Sequence, residues 1–156
     1  MNITPYTKHE ADQVARLYHA SVHAISSDLY TLDQLEAWAP TPPDLDFWRE
    51  RLARTPPHLC WINDKLAGFI ELEDGGYINC LYTHPEYQGR GVATTLYQHA
   101  ENLAIEQACE TLTVDASKVA RKFFVHQGFL VHSEHQVERK AQVLVNFHMI
   151  KRLTLT

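Results

Sequence analysis

The sequence predicts an α/β fold of the α+β type, in which helices flank a mixed, mostly antiparallel central sheet of about seven strands. Three observations predict it. Apolar residues recur at helical spacing through most of the first 54 positions. From position 58 the pattern changes to short runs of β-branched and aromatic residues joined by tight turns. The second half alternates helical and strand patterns, and the length of 156 residues fits one domain spanning residues 1–156.

The N-terminal third is predicted to contain one short strand and three helices. The strand covers Ile3–Thr7, and the first helix covers Lys8–Ala24, where apolar side chains fall on one face. A second helix runs from about Thr31 to Trp38, with Thr31 as its N-cap. The third covers Asp44–Arg54. Proline clusters end the second and third helices, and we interpret them as linkers between helices because the region is too short to fold alone.

Three consecutive strands follow, over His58–Asn63, Leu66–Glu73 and Tyr77–Thr83. Asp64-Lys65 separates the first two strands, and Asp74-Gly75-Gly76 separates the second two. Both are good turn sequences. Since tight turns connect antiparallel neighbours, the three strands are predicted to form an antiparallel meander.

The second half begins with a long helix over Gly89–Gln107 and a short strand over Thr111–Val114. A helix over Ser117–His126, with Ser117 as candidate N-cap, precedes two final strands over Phe129–Val137 and Gln142–Leu153. Because a helix connects the strand that ends at position 83 with the strand that begins at Thr111, a parallel crossover is permitted in the otherwise antiparallel sheet.

Composition argues against several classes of protein. The formal net charge of −5 disfavours a sequence-independent nucleic-acid binder, which needs a basic face. No apolar run approaches the roughly 18 residues of a membrane span, and the N-terminus lacks the pattern of a signal peptide. Cys60, Cys80 and Cys109 are odd in number, far apart and form no C-x-x-C pair. We therefore expect a cytoplasmic protein without a disulfide framework and without nucleic-acid or membrane partners.

The segment Leu81–Thr94 carries the strongest chemical signal. A strand ends there, a proline-containing loop follows, and a glycine-rich turn opens the long helix. The first turn of a helix has unpaired backbone N–H groups and partial positive charge, and glycines let an anion approach them closely. The predicted ligand is an anion such as a pyrophosphate, with Arg90 available for a charge-assisted contact. The alternative is a helix start that contains two glycines by chance, and the segment matches neither the P-loop nor the G-x-G-x-x-G pattern.

Two motifs resemble those of the GNAT superfamily of N-acyltransferases. Gln88-x-x-Gly91-x-Ala93, after the strand end Leu81-Tyr82-Thr83-His84-Pro85, is similar to the acetyl-coenzyme-A-binding signature of that family. Further along the chain, a second motif resembles the second signature of the family: Ser117-x-x-Ala120-x-x-Phe123-Phe124-x-x-x-Gly128-Phe129. The spacing between the motifs also agrees. Two further segments resemble those of a bacterial subgroup of the family: Tyr30-x-x-x-Gln34-x-x-x-Trp38-Ala39-Pro40 and Asn146–Lys151. The resemblance therefore spans nearly the whole chain.

The resemblance implies direct transfer of an acetyl group from acetyl-coenzyme A, as co-substrate, to an amine. Backbone groups of Leu81 to Thr83 would pair with the pantetheine arm, and one N–H among them would polarise the thioester carbonyl. Backbone N–H groups from Gly89 to Thr94 would hold the pyrophosphate. Ser117 would either donate a hydrogen bond to the cofactor or cap its helix. The implied cofactor-binding residues are Leu81, Tyr82, Thr83, Gln88, Gly89, Arg90, Gly91, Val92, Ala93, Thr94, Ser117 and Phe124.

Phe124 is a departure from the family pattern. Many members have a tyrosine there as the acid that protonates the leaving thiolate, and phenylalanine has no proton to give. Either another group, with Tyr82 and Tyr97 as unassigned candidates, or solvent supplies the proton. A thiol with a pKa near about 8.5 needs little assistance at neutral pH. We expect Phe124 to pack beside the thiol arm.

Two carboxylates are candidates for the base that deprotonates the amine. Glu71 and Glu73 lie two apart on one predicted strand and so face the same way. Glu71 is a candidate that would act through a water, although we favour a solvated strand face for it. Asp115, at the end of the next strand, is the other candidate.

The histidines are interpreted as structural. His84 lies beside the cofactor loop, where a loop histidine most often makes local hydrogen bonds. His19 and His23 are spaced i, i+4 on a helix, which can bind a metal, but no third ligand is evident. We therefore predict no metal site and a packed or solvated histidine pair.

The aromatic residues of the front helices bear on the acceptor, because this region forms the acceptor wall in the family. We expect Phe47 and Trp48 in the core and retain Tyr30 and Trp38 as candidate substrate-wall residues. The acceptor is a small-molecule amine or a peptide amine, and a catalytically weak acetyl-coenzyme-A-binding module is the third interpretation. The last strands could also pair between two chains in a homodimer.

Overall fold

A computed structural model describes residues 1–153 and places seven strands in one sheet with helices on both faces. The strands are β1 (Asn2–Pro5), β2 (His58–Ile62), β3 (Lys65–Glu73), β4 (Tyr77–Thr83), β5 (Thr111–Ser117), β6 (Leu130–Arg139) and β7 (Gln142–Arg152). The helices are α1 (Ala11–His23), α2 (Leu32–Trp38), α3 (Leu45–Arg54), α4 (Val92–Glu106) and α5 (Arg121–His126). None of the helices between residues 1 and 153 is long and apolar enough to cross a membrane.

The strand order is β1-β2-β3-β4-β5-β7-β6, and every neighbouring pair is antiparallel except β4 and β5. The predicted meander is confirmed as β2–β3–β4. The predicted parallel crossover is confirmed as β4–α4–β5. Helix α4 carries the chain back along the sheet, so that β5 runs beside β4 in the same direction. The mixed, mostly antiparallel sheet is thus confirmed, with β6 at one edge.

Side-chain caps fix where the front helices begin. The Thr31 hydroxyl accepts a hydrogen bond from Gln34 N–H at 3.1 Å, and Gln34 Oε1 accepts one from Thr31 N–H at 2.9 Å. This reciprocal pair is a capping box, and it confirms Thr31 as an N-cap. Asp44 Oδ1 accepts a hydrogen bond from Phe47 N–H at 3.0 Å and caps α3 in the same way.

Two predicted helix starts are wrong. Helix α4 begins at Val92, because Gly89 and Gly91 have φ angles of 76° and 81° and cannot continue a right-handed helix. Strand β5 extends to Ser117 and α5 begins only at Arg121, so Ser117 does not cap α5. The Ser117 hydroxyl instead accepts a hydrogen bond from Ala120 N–H at 3.2 Å within the connecting turn.

One core expectation is also wrong. Phe47 is 53% exposed because it lies on the outer side of α3, whereas Trp48, the next residue, is buried as expected. The difference is one of helical phase: adjacent residues on a helix do not share a face.

The sheet separates two apolar cores. Helices α4 and α5 cover the back face, and α1, α2 and α3 cover the front face. Gly68 on β3 brings α4 close to the sheet: a Cβ there would lie 2.8 Å from Val92 Cγ1 and 3.0 Å from Leu96 Cδ1. The same Cβ would lie 2.8 Å from the Tyr82 carbonyl oxygen, so a larger residue would force β3, β4 or α4 to shift beside the site described next.

Candidate active site

Strands β4 and β5 diverge, and their divergence opens a cavity in the middle of the sheet. They pair only at Tyr77–Thr113 and Ile78–Val114. Beyond these pairs, β4 and β5 form opposite walls of a cavity of about 780 Å³. Because β5 is no longer beside it, the edge of β4 at Leu81–Thr83 can offer backbone N–H and C=O groups to an extended ligand.

A β-bulge in β4 lies at the point of divergence. Asn79 is the extra residue, because Ile78 opposes Leu72 and Cys80 opposes Glu71 on β3. A bulge bends its strand and redirects the side chains beside it. Here it coincides with the place where β4 leaves β5, and Asn79 lines the cavity.

The glycine turn forms an anion-binding loop at one end of the cavity. Thr95 N–H donates to Gly91 C=O at 3.0 Å as the first bond of α4, so the N–H groups just before it have no partner within the helix. A Cβ on Gly89 would meet no atom within 4 Å, so the loop surface is open. The cavity-lining residues of this loop are Gln88, Gly89, Gly91, Val92, Ala93 and Thr94. Such a cradle at a helix N-terminus suits a pyrophosphate.

Arg90 lies between two cavity-lining glycines, Gly89 and Gly91, but is not itself a lining residue. Its guanidinium carbon lies 5.5 Å from the ring centroid of Tyr87, which lines the cavity. The charge-assisted contact of Arg90 with an anion stays a prediction.

Ser117 and Phe124 line the cavity opposite β4. Phe124 is buried against Tyr97, Phe123 and Phe129, with ring centroids 6.4, 5.2 and 5.1 Å away. Tyr97, one of the two candidate proton donors, does not line the cavity. Its hydroxyl is hydrogen-bonded to Glu101, which makes Tyr97 part of the back core.

Four aromatic rings form the front end of the cavity: Tyr18, Tyr30, Trp38 and Tyr82. The Trp38 ring lies 5.4 Å from that of Tyr30, and Trp38 Nε1 donates to the Tyr82 hydroxyl at 3.3 Å. Burial raises the pKa of Tyr18 to about 12 and that of Tyr82 well above its ordinary value. Both phenols are therefore neutral at physiological pH.

Glu71 is completely buried, and the expectation of a solvated strand face is wrong. Glu71 Oε2 accepts from Arg51 Nη2 at 2.9 Å and from Asn79 Nδ2 at 3.3 Å. Arg51 lines the cavity and Glu71 does not. Glu71 therefore lies behind Arg51 and holds it in place, and its role as a base stays untested.

Arg51 is fixed on two further sides. Its Nη2 lies 3.0 Å from Cys80 Sγ, and its guanidinium carbon lies 4.8 Å from the Trp48 ring centroid. Burial, with the nearby charge of Glu71, raises the pKa of Cys80 to about 12. The cavity therefore contains a neutral thiol at Cys80.

Asp115, the other candidate base, lines the cavity and is anchored through both carboxylate oxygens. Oδ2 accepts from the Tyr77 hydroxyl at 2.9 Å, and Oδ1 lies 2.9 Å from His148 Nδ1. Burial raises the pKa of Tyr77, so its phenol remains a donor to Asp115. The Asp115 side chain is 39% exposed, which leaves it accessible from the cavity.

The remaining predicted histidines have local partners. His84 Nδ1 accepts from Glu86 N–H at 3.1 Å and caps the turn after β4. The His19 and His23 rings stack with centroids 4.2 Å apart. In the part of the chain that the structure describes, no group of three or more His, Cys, Asp or Glu side chains could hold a metal ion.

Several lining residues were not identified from the sequence. They come from α1, α3, β6 and β7, and include Tyr18, Arg51, His135, Arg139 and Asn146. Asn146 begins the last-strand segment that resembles a bacterial subgroup, but its side chain was not singled out there. Tyr18 belongs to an apolar helical stripe that is indistinguishable from core. The only available signal was the polar Asn146 between Val145 and Phe147 in a strand.

A family model described as the acetyltransferase (GNAT) domain matches residues 27–153. The chain belongs to the GNAT acetyltransferase family. The uncharacterized N-acetyltransferase YafP of Escherichia coli is 32% identical over 149 residues, which cover 96% of this chain and 94% of the relative. This GNAT chain is therefore an acetyl-coenzyme-A-dependent N-acyltransferase, and acetyl-coenzyme A is its co-substrate.

Solved structures share the fold. A GCN5-related N-acetyltransferase from Rhodopseudomonas palustris has a TM-score of 0.92 at 33% identity, covering 97% of this chain and 95% of that one. The PaiA N-acetyltransferase of Thermoplasma acidophilum, solved with coenzyme A, has a TM-score of 0.77 at 18% identity, covering 98% and 100%. The open glycine turn and the unpaired edge of β4 are the features of this GNAT domain that fit such a cofactor.

Proposed function

We propose that this enzyme acetylates the primary amine of a small molecule with an apolar body. The observation that carries the proposal is the front end of the cavity, where Tyr18, Tyr30, Trp38 and Tyr82 meet. Neutral aromatic rings attract apolar and cationic groups. These rings enclose only one end of the cavity, since the cofactor would occupy the end lined by the glycine turn, and such a partly filled pocket favours a compact acceptor.

Acetyl-coenzyme A supplies the activated acyl group, and backbone groups of this chain would hold it. The free edge of β4 at Leu81–Thr83 would pair with the extended arm, with one N–H directed at the thioester carbonyl. The N–H groups of Gly89–Thr94 would bind the pyrophosphate. From the opposite wall, Ser117 offers a hydroxyl and Phe124 an apolar surface.

The acetyl group is proposed to pass directly to the amine, without an acyl-enzyme. Cys80 is the thiol that lines the cavity, and its pKa of about 12 keeps it protonated at neutral pH. Because the thiolate is the nucleophilic form of cysteine, Cys80 is unsuited to accept the acetyl group. The attacking atom is then the amine nitrogen itself.

Asp115 is proposed as the base that receives the proton of the amine. Its two hydrogen bonds, from Tyr77 and with His148, fix the carboxylate at the cavity wall. His148 is half-buried and could pass a proton from Asp115 to solvent.

Asp115→Asn tests this role. A lost general base typically lowers the rate by about a hundredfold or more, so kcat should fall by that order while acetyl-coenzyme A affinity is retained. The acidic limb of the kcat–pH profile should disappear, because asparagine does not titrate. Glu73→Gln, which removes a half-buried carboxylate outside the cavity, is the control. An unchanged acidic limb in Asp115→Asn would exclude Asp115 as the base.

The acceptor is tested by thiol release from acetyl-coenzyme A with a panel of primary amines and peptides, using wild type and Trp38→Leu. Losing the Trp38 ring should raise the KM of the best small amine by about tenfold, and leave acetyl-coenzyme A affinity unchanged. Phe47→Leu is the matched control, because Phe47 is an exposed aromatic residue of the neighbouring helix outside the cavity.

The other outcomes of this panel are distinct. Higher kcat/KM for peptides than for every small amine would replace the small-molecule proposal with a peptide or protein acceptor. Saturable acetyl-coenzyme A binding without thiol release on any acceptor would indicate a weak binding module. An equal change of KM in Trp38→Leu and Phe47→Leu would show that the aromatic wall does not bind the acceptor.

A further inference from the structure

Helix α5 lines the wall opposite β4 with Phe123 and Phe124, and neither side chain can donate a proton. When the C–S bond of a thioester breaks, the electron pair stays on sulfur, and a nearby O–H stabilises the departing thiolate. Phe124 is the more deeply buried of the two, and its side chain has no polar atom.

The phenols that line the cavity differ in where their hydroxyls lie. The Tyr18 hydroxyl donates to Trp38 C=O at 3.4 Å, and the Tyr82 hydroxyl receives Trp38 Nε1 at 3.3 Å, so both are engaged at α2. The Tyr77 hydroxyl donates to Asp115 and belongs to the base side. Tyr87 lies in the turn after β4, against His84 and Arg90. Tyr30 is the lining phenol whose ring contacts the turn between β5 and α5, through Lys118.

Tyr30 is held there by contacts on each side. Its ring packs edge-on against Trp38, and Lys118 Nζ lies 4.8 Å from its ring centroid. Lys118 Nζ also donates to Leu29 C=O at 3.2 Å, which ties the α1–α2 loop to the β5–α5 turn. Tyr30 lines the cavity and is only 3% exposed, so little of it meets bulk water.

We propose that Tyr30, from the α1–α2 loop, donates the proton to the leaving thiolate in place of the residue at position 124. The proposal rests on the acetyl transfer described above and adds the acid to it. The Lys118 ammonium over the ring is the charged group that the structure places against Tyr30, and the adjacent Ser117 lines the same cavity.

The proton balance is simple. The amine nitrogen forms the C–N bond as the C–S bond breaks, and Asp115 takes the proton that nitrogen loses. Tyr30 gives its proton to sulfur and becomes a phenolate, which the Lys118 cation stabilises until solvent returns a proton. Burial raises the pKa of Tyr30, against smaller lowering by the hydrogen bonds to Lys118 and Ser117, so the phenol is protonated before each turnover.

Tyr30→Phe removes only the hydroxyl, and Tyr6→Phe is the matched control, since Tyr6 is a half-buried phenol with a raised pKa that does not line the cavity. The first readout needs no acceptor: the thiol of coenzyme A bound to the enzyme is titrated by its thiolate absorbance. A lost hydrogen bond to the thiolate should make the thiolate fraction at a given pH about tenfold smaller in Tyr30→Phe. Tyr6→Phe should match wild type.

The second readout is turnover on the best amine. Tyr30→Phe should lower kcat by about ten- to a hundredfold and lose the basic limb of the kcat–pH profile, which lies above the ordinary tyrosine pKa of about 10. The double variant Tyr30→Phe with Phe124→Tyr should recover much of this loss, because it returns a phenol to the same wall from α5. If Tyr30→Phe fails to fold, fluorotyrosine at position 30 keeps the packing and should move the basic limb to lower pH.

The proposal would be overturned if Tyr30→Phe had the same thiol titration and the same kcat as wild type. It would also be overturned if fluorotyrosine at position 30 left the basic limb of the kcat–pH profile at the same pH. A shifted thiol titration in an enzyme that acetylates no small amine would support Tyr30 and contradict the small-molecule acceptor instead. The two proposals therefore fail separately.

Discussion

At the scale of single residues, a carboxylate without exposed surface lies beneath the acceptor end of the cavity. Glu71 Oε2 is paired with Arg51 at 2.9 Å, but Glu71 Oε1 has no hydrogen-bond partner among the described residues. Burial opposes ionisation of the carboxyl group and outweighs the attraction of Arg51, so the pKa of Glu71 is raised. The pair orients Arg51 at the expense of stability, as buried ion pairs often do.

Glu71→Gln tests the direction of this shift. A pKa that is higher in the folded state means that the folded protein binds the proton more tightly. The stability that Glu71 contributes is then complete below its unfolded pKa and is lost as pH rises through its folded pKa. Wild type should therefore lose free energy of unfolding relative to Glu71→Gln as the pH rises from about 4 through the folded pKa of Glu71.

Urea denaturation at a series of pH values measures this difference. Glu106→Gln is the control, because Glu106 is an exposed carboxylate at the end of α4. A difference that grows in favour of wild type with rising pH would show that Arg51 lowers the pKa of Glu71 below its unfolded value.

At the scale of elements, two glycine turns of the chain allow the effect of backbone strain on stability to be measured apart from the effect on ligand binding. Gly89 has φ of 76° and open space around its Cα, and it lines the cavity. Gly75, in the β3–β4 turn, has φ of 85° and equally open space, but lies outside the cavity. An alanine at either position meets the same left-handed backbone and should cost about 1 kcal/mol of stability.

Gly89→Ala should additionally lower acetyl-coenzyme A affinity by about tenfold, because its methyl group occupies the surface that an anion would approach. Gly75→Ala should bind the cofactor like wild type. Calorimetric titration of both variants measures the contrast. Equal affinities would place the pyrophosphate elsewhere.

The elements also show where sequence reasoning succeeds. The front helices and the meander were predicted closely, because caps, prolines and turn residues are local signals. The region around Ser117 was not, because its hydroxyl bonds a nearby backbone N–H in a turn as readily as in a helix cap. Strand β5 extends three residues further than predicted, to Ser117, since pairing with β7 continues to Asn146.

At the scale of the whole molecule, the site exists because two strands separate. The front and back cores hold helices against both faces of the sheet, and the cavity passes between β4 and β5 from the glycine turn to the aromatic wall. Side chains from α1, α2, α3, β6 and β7 complete it. The acceptor end is thus assembled from distant parts of the chain, while the cofactor end comes largely from one continuous segment.

The sequence by itself determined the fold class and the donor half of the reaction. Leu81–Thr94 is contiguous, and its function depends on backbone groups whose placement follows from a strand end, glycines and a helix start. Only the tertiary structure decided that Glu71 is buried, that Arg90 lies against Tyr87, and that Lys118 contacts the ring of Tyr30. Those outcomes depend on packing between distant segments, which local periodicity and spacing do not encode.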